Sequence, residues 1–478
     1  MDTDDLCHLG VSGLAGLIER GEVSPVEIVD AYLRRIERLD PHLSAYLTLT
    51  ADRARGEARE AEAEIAAGRR RGPLHGIPFG VKDIIETDGV RTTHGSVFFR
   101  DFVPGRDADC IARLRRAGAI MLGKTLTHEF AAAATTINPH YGTARNPWNP
   151  EHIAGGSSGG SAVAVAAGLC AFALGTDTGG SIRNPAALCG IVGLKPTHGR
   201  TSLTGICPNV MTFDHVGPMA PSALDAAMVL HAIAGHDARD PASRDHAVPD
   251  FTEGWTRGVR GMRLALCPDV TMNAEIDAEV ERAFVEAVAV FRSLGATVET
   301  VPFAAGQRLA GLFPPIAGPE FAEFHRPFYE KDPDSYGDSV KERLEWSFRI
   351  TADEYVRGLR ARALLRRDVA AFFQGVDALL LPTMPCAAPP IATLTASVNG
   401  KAYPYGTLHQ PFLRPGSVTG CPAVAVPMGF DRDGMPLSLQ IIGPDWSDGR
   451  ILGIASAFET ATPAIRSRRP PEPSAALG

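Results

Sequence analysis

Three side chains in this sequence have the types and surroundings to perform nucleophilic chemistry together. Lys82 lies in the apolar run His75–Ile85, in a chain whose 47 basic residues include only six lysines. A lysine so placed can serve as a base, because apolar surroundings disfavour its charged form. Ser157 sits in the glycine turn Gly155-Gly-Ser-Ser-Gly-Gly-Ser161, and Ser181 follows two glycines in Gly175-Thr-Asp-Thr-Gly-Gly-Ser181. A serine hydroxyl needs a base to become a nucleophile. The backbone N–H groups of Thr178, Gly179, Gly180 and Ser181 could together hold an oxyanion.

Other readings of the same segments fail on their own requirements. No G-x-x-x-x-G-K-[ST] is present, so the glycine turn is not a phosphate loop of that kind. Ser157 and Ser158 each centre a G-x-S-x-G match, but the residues before them, Asn146–His152, read as loop. A nucleophile elbow needs a strand there. Asp177-Thr178-Gly179 occurs once, whereas aspartic-protease chemistry needs two carboxylates. The 14 histidines contain no H-E-x-x-H pair, so no metal site is expected.

The elements that position these residues are legible in outline. Ser24-Pro-Val-Glu27 is a capping box with proline at the first helical position, and it predicts a helix to about Leu39. A second helix is predicted over Ala51–Arg69. His75–Ile85 reads as a buried strand with a turn. It is followed by a helix (Ala108–Ala117), a strand (Ala119–Leu122) and a polar loop to Pro150. Residues 155–205 hold 12 glycines in 51 positions, against 49 in 478 for the whole chain. Strand, helix and strand alternate over 263–301. A long helix is predicted at Ala352–Phe373, strands at Ala378–Pro382, Ala423–Pro427 and Leu437–Ile442, and a last helix at Arg450–Thr460. This alternation predicts an α/β fold around a largely buried mixed sheet.

At 478 residues with 45% hydrophobic and 21% charged composition, the chain can bury a large core. The net charge of −8 argues against a grip on nucleic acid or an anionic membrane. The longest apolar run, Ala162–Leu174, is too short to cross a bilayer about 30 Å thick. The opening residues 1–10 show no signal-peptide pattern, and the eight cysteines form no C-x-x-C pair. A cytoplasmic protein with reduced, buried thiols is expected.

The sequence resembles the amidase signature family. The matching motifs are Gly80-Val-Lys-Asp83, the 155–161 turn, Asp177-Thr-Gly-Gly-Ser-Ile-Arg183 and Pro185–Pro196. They continue with Asp214-His-Val-Gly-Pro218, Gly420–Pro427 and Gly434–Gln440. The resemblance spans about residues 10–460. It implies a large mixed central sheet covered by helices on both faces, and a Ser–cis-Ser–Lys triad with Ser181 as nucleophile, Ser157 as the bridging serine and Lys82 as base. It implies no cofactor or metal. Ala131 aligns with a wall of the acyl pocket, and Ser158 is expected beside Lys82 or the substrate. Asp177 and Arg183 are expected to brace the nucleophile loop, Asp214 to be structural, and Lys124 and Lys195 to be structural also. His94 and His128 are expected on solvated loops.

The domain reading is a helical lead-in (1–70), one α/β domain (71–465) with a catalytic core at 75–220 and a substrate-shaping region near 300–420, and a disordered tail (466–478). The expected function is hydrolysis of a small or aryl carboxamide, extending to carbamates or esters, with a homodimer as a possible assembly. The alternative is the glutaminase component of a tRNA-dependent amidotransferase. Against it stand the unlike segment Thr204–Asp214, Ser417 in place of an asparagine, and no visible charged pair to hold glutamine. A non-catalytic binding protein is a third reading, opposed by the intact triad positions.

Overall fold

The computed structural model describes residues 3–272 and 274–472. Eleven strands form one sheet: β1 (Tyr46–Leu49), β2 (Pro78–Lys82), β3 (Ile120–Thr125), β4 (Phe172–Thr176), β5 (Val192–Lys195), β6 (Val216–Ala220), β7 (Arg263–Leu266), β8 (Thr297–Thr300), β9 (Ala378–Pro382), β10 (Ala423–Phe430) and β11 (Pro436–Ile442). Their spatial order is β1-β3-β2-β4-β6-β5-β10-β11-β9-β7-β8. The sheet is mixed: β2 runs parallel to both β3 and β4, and β7 parallel to β8 and β9, while the other pairs are antiparallel.

Strands β2, β3, β4, β6, β9 and β11 are buried at every position. Side chains alternate between the two faces of a strand, so burial at successive residues means that both faces are covered. This matches the expected α/β architecture. The capping box is formed as predicted: Ser24 Oγ accepts from Glu27 N–H, and the helix runs Pro25–Leu43.

Three differences from the sequence reading have plain causes. The lead-in supplies β1, which pairs antiparallel with β3, so residues 1–70 are not wholly helical. Helix Phe313–Lys331 is not legible in the sequence, because Pro319 and Pro327 lie inside it and proline normally signals a helix end. Residues 466–472 of the tail are mostly exposed but make contacts with the domain: Glu472 pairs with Arg35 at 2.9 Å, and Arg468 stands over the Phe430 ring at 3.8 Å. Residues 473–478 lie outside the described residues. All eight cysteines are buried and unbridged. Among the described residues no helix is long and apolar enough to cross a membrane.

Candidate active site

Lys82 closes β2 and is fully buried. Its Nζ lies 2.7 Å from Ser157 Oγ and 2.8 Å from Thr176 Oγ1. Thr176 ends β4, the parallel neighbour of β2, so strand register places it beside the lysine. Burial pushes the Lys82 ammonium down to about 7, against the opposing fields of Asp177 and Asp214.

The Gly156–Ser157 peptide is cis. A Cβ on Gly156 would collide with the backbone of Thr135, so only glycine fits there. The Ser157 carbonyl accepts from Thr127 Oγ1 at 3.1 Å and Thr136 Oγ1 at 3.2 Å. Ser158 N–H donates to the Ser181 carbonyl at 3.2 Å, which draws the two serine segments together. The Ser158 hydroxyl bonds the Thr176 backbone, donating to its O at 3.2 Å and accepting from its N–H at 3.3 Å. It contacts neither Lys82 nor the cavity.

Asp177 is the keystone of the second segment. Its carboxylate accepts from Gly180 N–H at 2.9 Å and from Arg183 Nε and Nη2, each at 2.9 Å. Burial alone would raise its pKa, but the Arg183 charge holds it below the usual carboxylate value. Arg183 in turn donates to Leu413 O, Gln440 Oε1 and Ser417 Oγ at 2.9, 2.6 and 2.9 Å. The segment is thereby tied to helix Gln410–Thr419 and to β11. Gly180 has φ +123°, and Leu413 would lie 2.6 Å from a Cβ placed there.

The Gly180 amide, one of four expected to face an oxyanion, is therefore committed to Asp177. The N–H groups of Thr178, Gly179 and Ser181 have no hydrogen-bond partner among the described residues. Thr178 Oγ1 donates to Asp214 at 2.5 Å, and the other Asp214 oxygen accepts from Asn209 and Val210 N–H.

Thr178, Gly179, Gly180 and Ser181 line a cavity of about 450 Å³, and so does Ala131. Its other walls come from Ala132–Ala134, Phe313, Arg343, Trp346, His409 and Arg414. Two groups of residues there were not anticipated. Asn209 fastens the Ala131 wall by donating to Ala131 O at 2.8 Å. Helices Asp338–Ser347 and Gln410–Thr419 bring two arginines. Lys124 is buried and bonds Ile85 O, Thr87 and Thr92, while Lys195 bonds Pro196 O and His215. Neither lines the cavity. His94 and His128 are buried rather than solvated, and burial pushes them down to about 3 and about 4.

The amidase family model matches residues 27–452. The chain belongs to the amidase family. It is 38% identical over 468 residues to the A-subunit of glutamyl-tRNA(Gln) amidotransferase from Thermosynechococcus vestitus, covering 93% of this chain and 96% of that one. Among solved structures it is similar to the native peptide amidase of Stenotrophomonas maltophilia, with a TM-score of 0.82, 34% identity and coverage of 97% and 98%. It is also similar to a chain of a vestigial protein complex bearing on the origins of an s-triazine catabolic enzyme. There the TM-score is 0.89, the identity 33% and the coverage 94% and 97%. Membership makes this chain an amidase-family hydrolase, acting on amide C–N bonds.

Proposed function

We propose that the chain hydrolyses a small carboxamide through an acyl-enzyme on Ser181. The contact between the buried Lys82 and Ser157, at the edge of the cavity that Ser181 lines, carries this reading. A Lys82 held neutral donates one N–H to Thr176 Oγ1 and turns its lone pair to the Ser157 hydroxyl. Ser157 passes its proton to Lys82 and takes the proton of Ser181, whose Oγ attacks the carbonyl carbon. The oxyanion meets free amides among Thr178, Gly179 and Ser181. The relay returns a proton to the leaving nitrogen, the amine or ammonia departs, and water then attacks the acyl-enzyme by the same route. Asp177 and Arg183 act as positioning residues, since they hold the loop without facing the cavity. The residues at 75–220 form the catalytic core in this reading, and 300–420 shapes the pocket.

A second reading, the glutaminase component of a tRNA-dependent amidotransferase, is the one the curated relatives favour. Eight of them bear that component's name, at 36–39% identity and near-complete coverage. In that reading the chain works beside partner proteins and Arg343 takes the α-carboxylate of glutamine. The cavity lining favours the first reading, because among the described residues it includes no aspartate or glutamate to meet the α-ammonium.

The test is to purify the chain alone and measure ammonia release from glutamine and from a panel of primary amides, anilides, carbamates and esters. Turnover of a small amide without glutaminase activity supports the first reading. Activity on glutamine that appears only with co-purified partner proteins and tRNA establishes the second.

A further inference from the structure

The cavity beside Ser181 has apolar walls, among them Ala131–Ala134, Phe313 and Trp346, into which Arg343, Arg414, Asn184 and His409 are set, and among the described residues no aspartate or glutamate lines it. Arg343 Nη1 donates to Ala132 O at 3.0 Å, and Nη2 donates to Asn209 Oδ1 at 2.9 Å. Its guanidinium lies 3.8 Å from the centre of the Phe321 ring. All of these partners are neutral. Asp214, whose field reaches Arg343, does not line the cavity, and both its oxygens are taken by Thr178, Asn209 and Val210.

Arg414 stands over the Phe313 ring at 4.9 Å. Among the described residues its guanidinium has no hydrogen-bond or ion-pair partner. Burial pushes both arginines down to about 10, and Arg414 adds repulsion to Arg343. Asn184 Nδ2, buried beside the same cavity, also has no partner among the described residues. His409 Nδ1 sits on Tyr405 O at 3.2 Å, which makes Nδ1 the protonated nitrogen of a neutral ring. Two partly desolvated cations with no counter-charge are costly, and a bound anion offsets that cost.

We infer that the cavity takes an amide carrying a carboxylate and no ammonium, with Arg414 and Arg343 holding the anion. The substrate class is then monoamides of dicarboxylic acids, and not amino-acid amides such as glutamine. A zwitterion of the same length would set its ammonium in the field of two guanidinium groups with no acid to receive it. For such a monoamide the reaction consumes water, breaks the C–N bond and yields the dicarboxylate and ammonia. The inference rests on Ser181 being the nucleophile.

The test uses protection of Ser181 from a fluorophosphonate label by three small ligands: glutarate, butyrate and L-glutamate. Glutarate should halve labelling at a concentration about tenfold or more below that needed with butyrate or glutamate, the difference one charge-assisted contact makes. In Arg414→Gln the advantage of glutarate over butyrate should fall about tenfold. In parallel, kcat/KM for glutaramate should exceed that for butyramide and glutamine by a similar factor. Equal protection by glutarate and butyrate, or no protection by any of them, overturns the inference while leaving the amidase reading intact. Failure of the label to reach Ser181 in an active enzyme overturns Ser181 as the nucleophile, and with it the acyl-enzyme reading.

Discussion

The two sides of the cavity are built on opposite principles. On the nucleophile side, Asp177, Arg183, Thr178 and Asp214 are buried and bonded to named partners, and Arg183 answers Asp177 charge for charge at 2.9 Å. On the side built by helices Asp338–Ser347 and Gln410–Thr419, Arg343 and Arg414 carry charge that no side chain of the lining answers among the described residues. A saturated network fixes geometry, which a reaction at one serine demands. An unsaturated wall leaves binding capacity for what enters. The difference separates the part of the molecule that performs a reaction from the part that selects its substrate.

The comparison breaks first at Ser181. Ser181→Ala should lower kcat by about 10,000-fold or more and abolish fluorophosphonate labelling, with the circular dichroism spectrum unchanged. Normal turnover in this variant would sink the mechanism.

Lys82→Ala comes next, because it removes the base and both of its bonds; kcat should drop by about 100- to 10,000-fold. Ser157→Ala should cost less, since a water can occupy the vacated position. The same lysine sets the pH profile. Its folded value of about 7 lies below the ordinary 10.5, and the working form is the neutral one. Activity should therefore rise as pH increases through about 7 and level off above it. A profile flat from pH 5 to 9 would contradict a titrating lysine base.

Asp177→Asn probes the saturated side through stability. It leaves the Arg183 charge buried without its counter-ion, so unfolding free energy should drop by about 3–5 kcal/mol, read from denaturant midpoints. A loss below 1 kcal/mol would mean that Gln440, Ser417 and Leu413 suffice to hold the guanidinium.

The smallest effect is expected at Ser417→Ala. Only one of the Arg183 bonds disappears, and stability should fall by about 1–3 kcal/mol with KM unchanged. A changed KM would show that the helix Gln410–Thr419 transmits its position to the binding wall.

Residue chemistry alone marked the nucleophile side. A scarce lysine in an apolar strand and a local excess of glycine by themselves single out Lys82, Ser157 and Ser181. Glycine at 156 and 180 is demanded by backbone approach and positive φ, a constraint written into the residue type itself. The capping box and the apolar strands were legible for the same reason, since their signals are local.

What the sequence hid depends on contacts between distant segments. Thr176 reaches Lys82 only because β4 lies parallel beside β2, across 94 positions of chain. The capture of the Gly180 amide by Asp177 is a matter of loop shape, and it leaves three of the four expected amides available. Prolines inside helix Phe313–Lys331 obscure the part of the wall that Phe313 supplies. Arg343 and Arg414 lie 71 positions apart, in segments without chemical motifs. Spacing and residue type determined which atoms could react. Only the packing of helices against the sheet decided that two unanswered cations would face them.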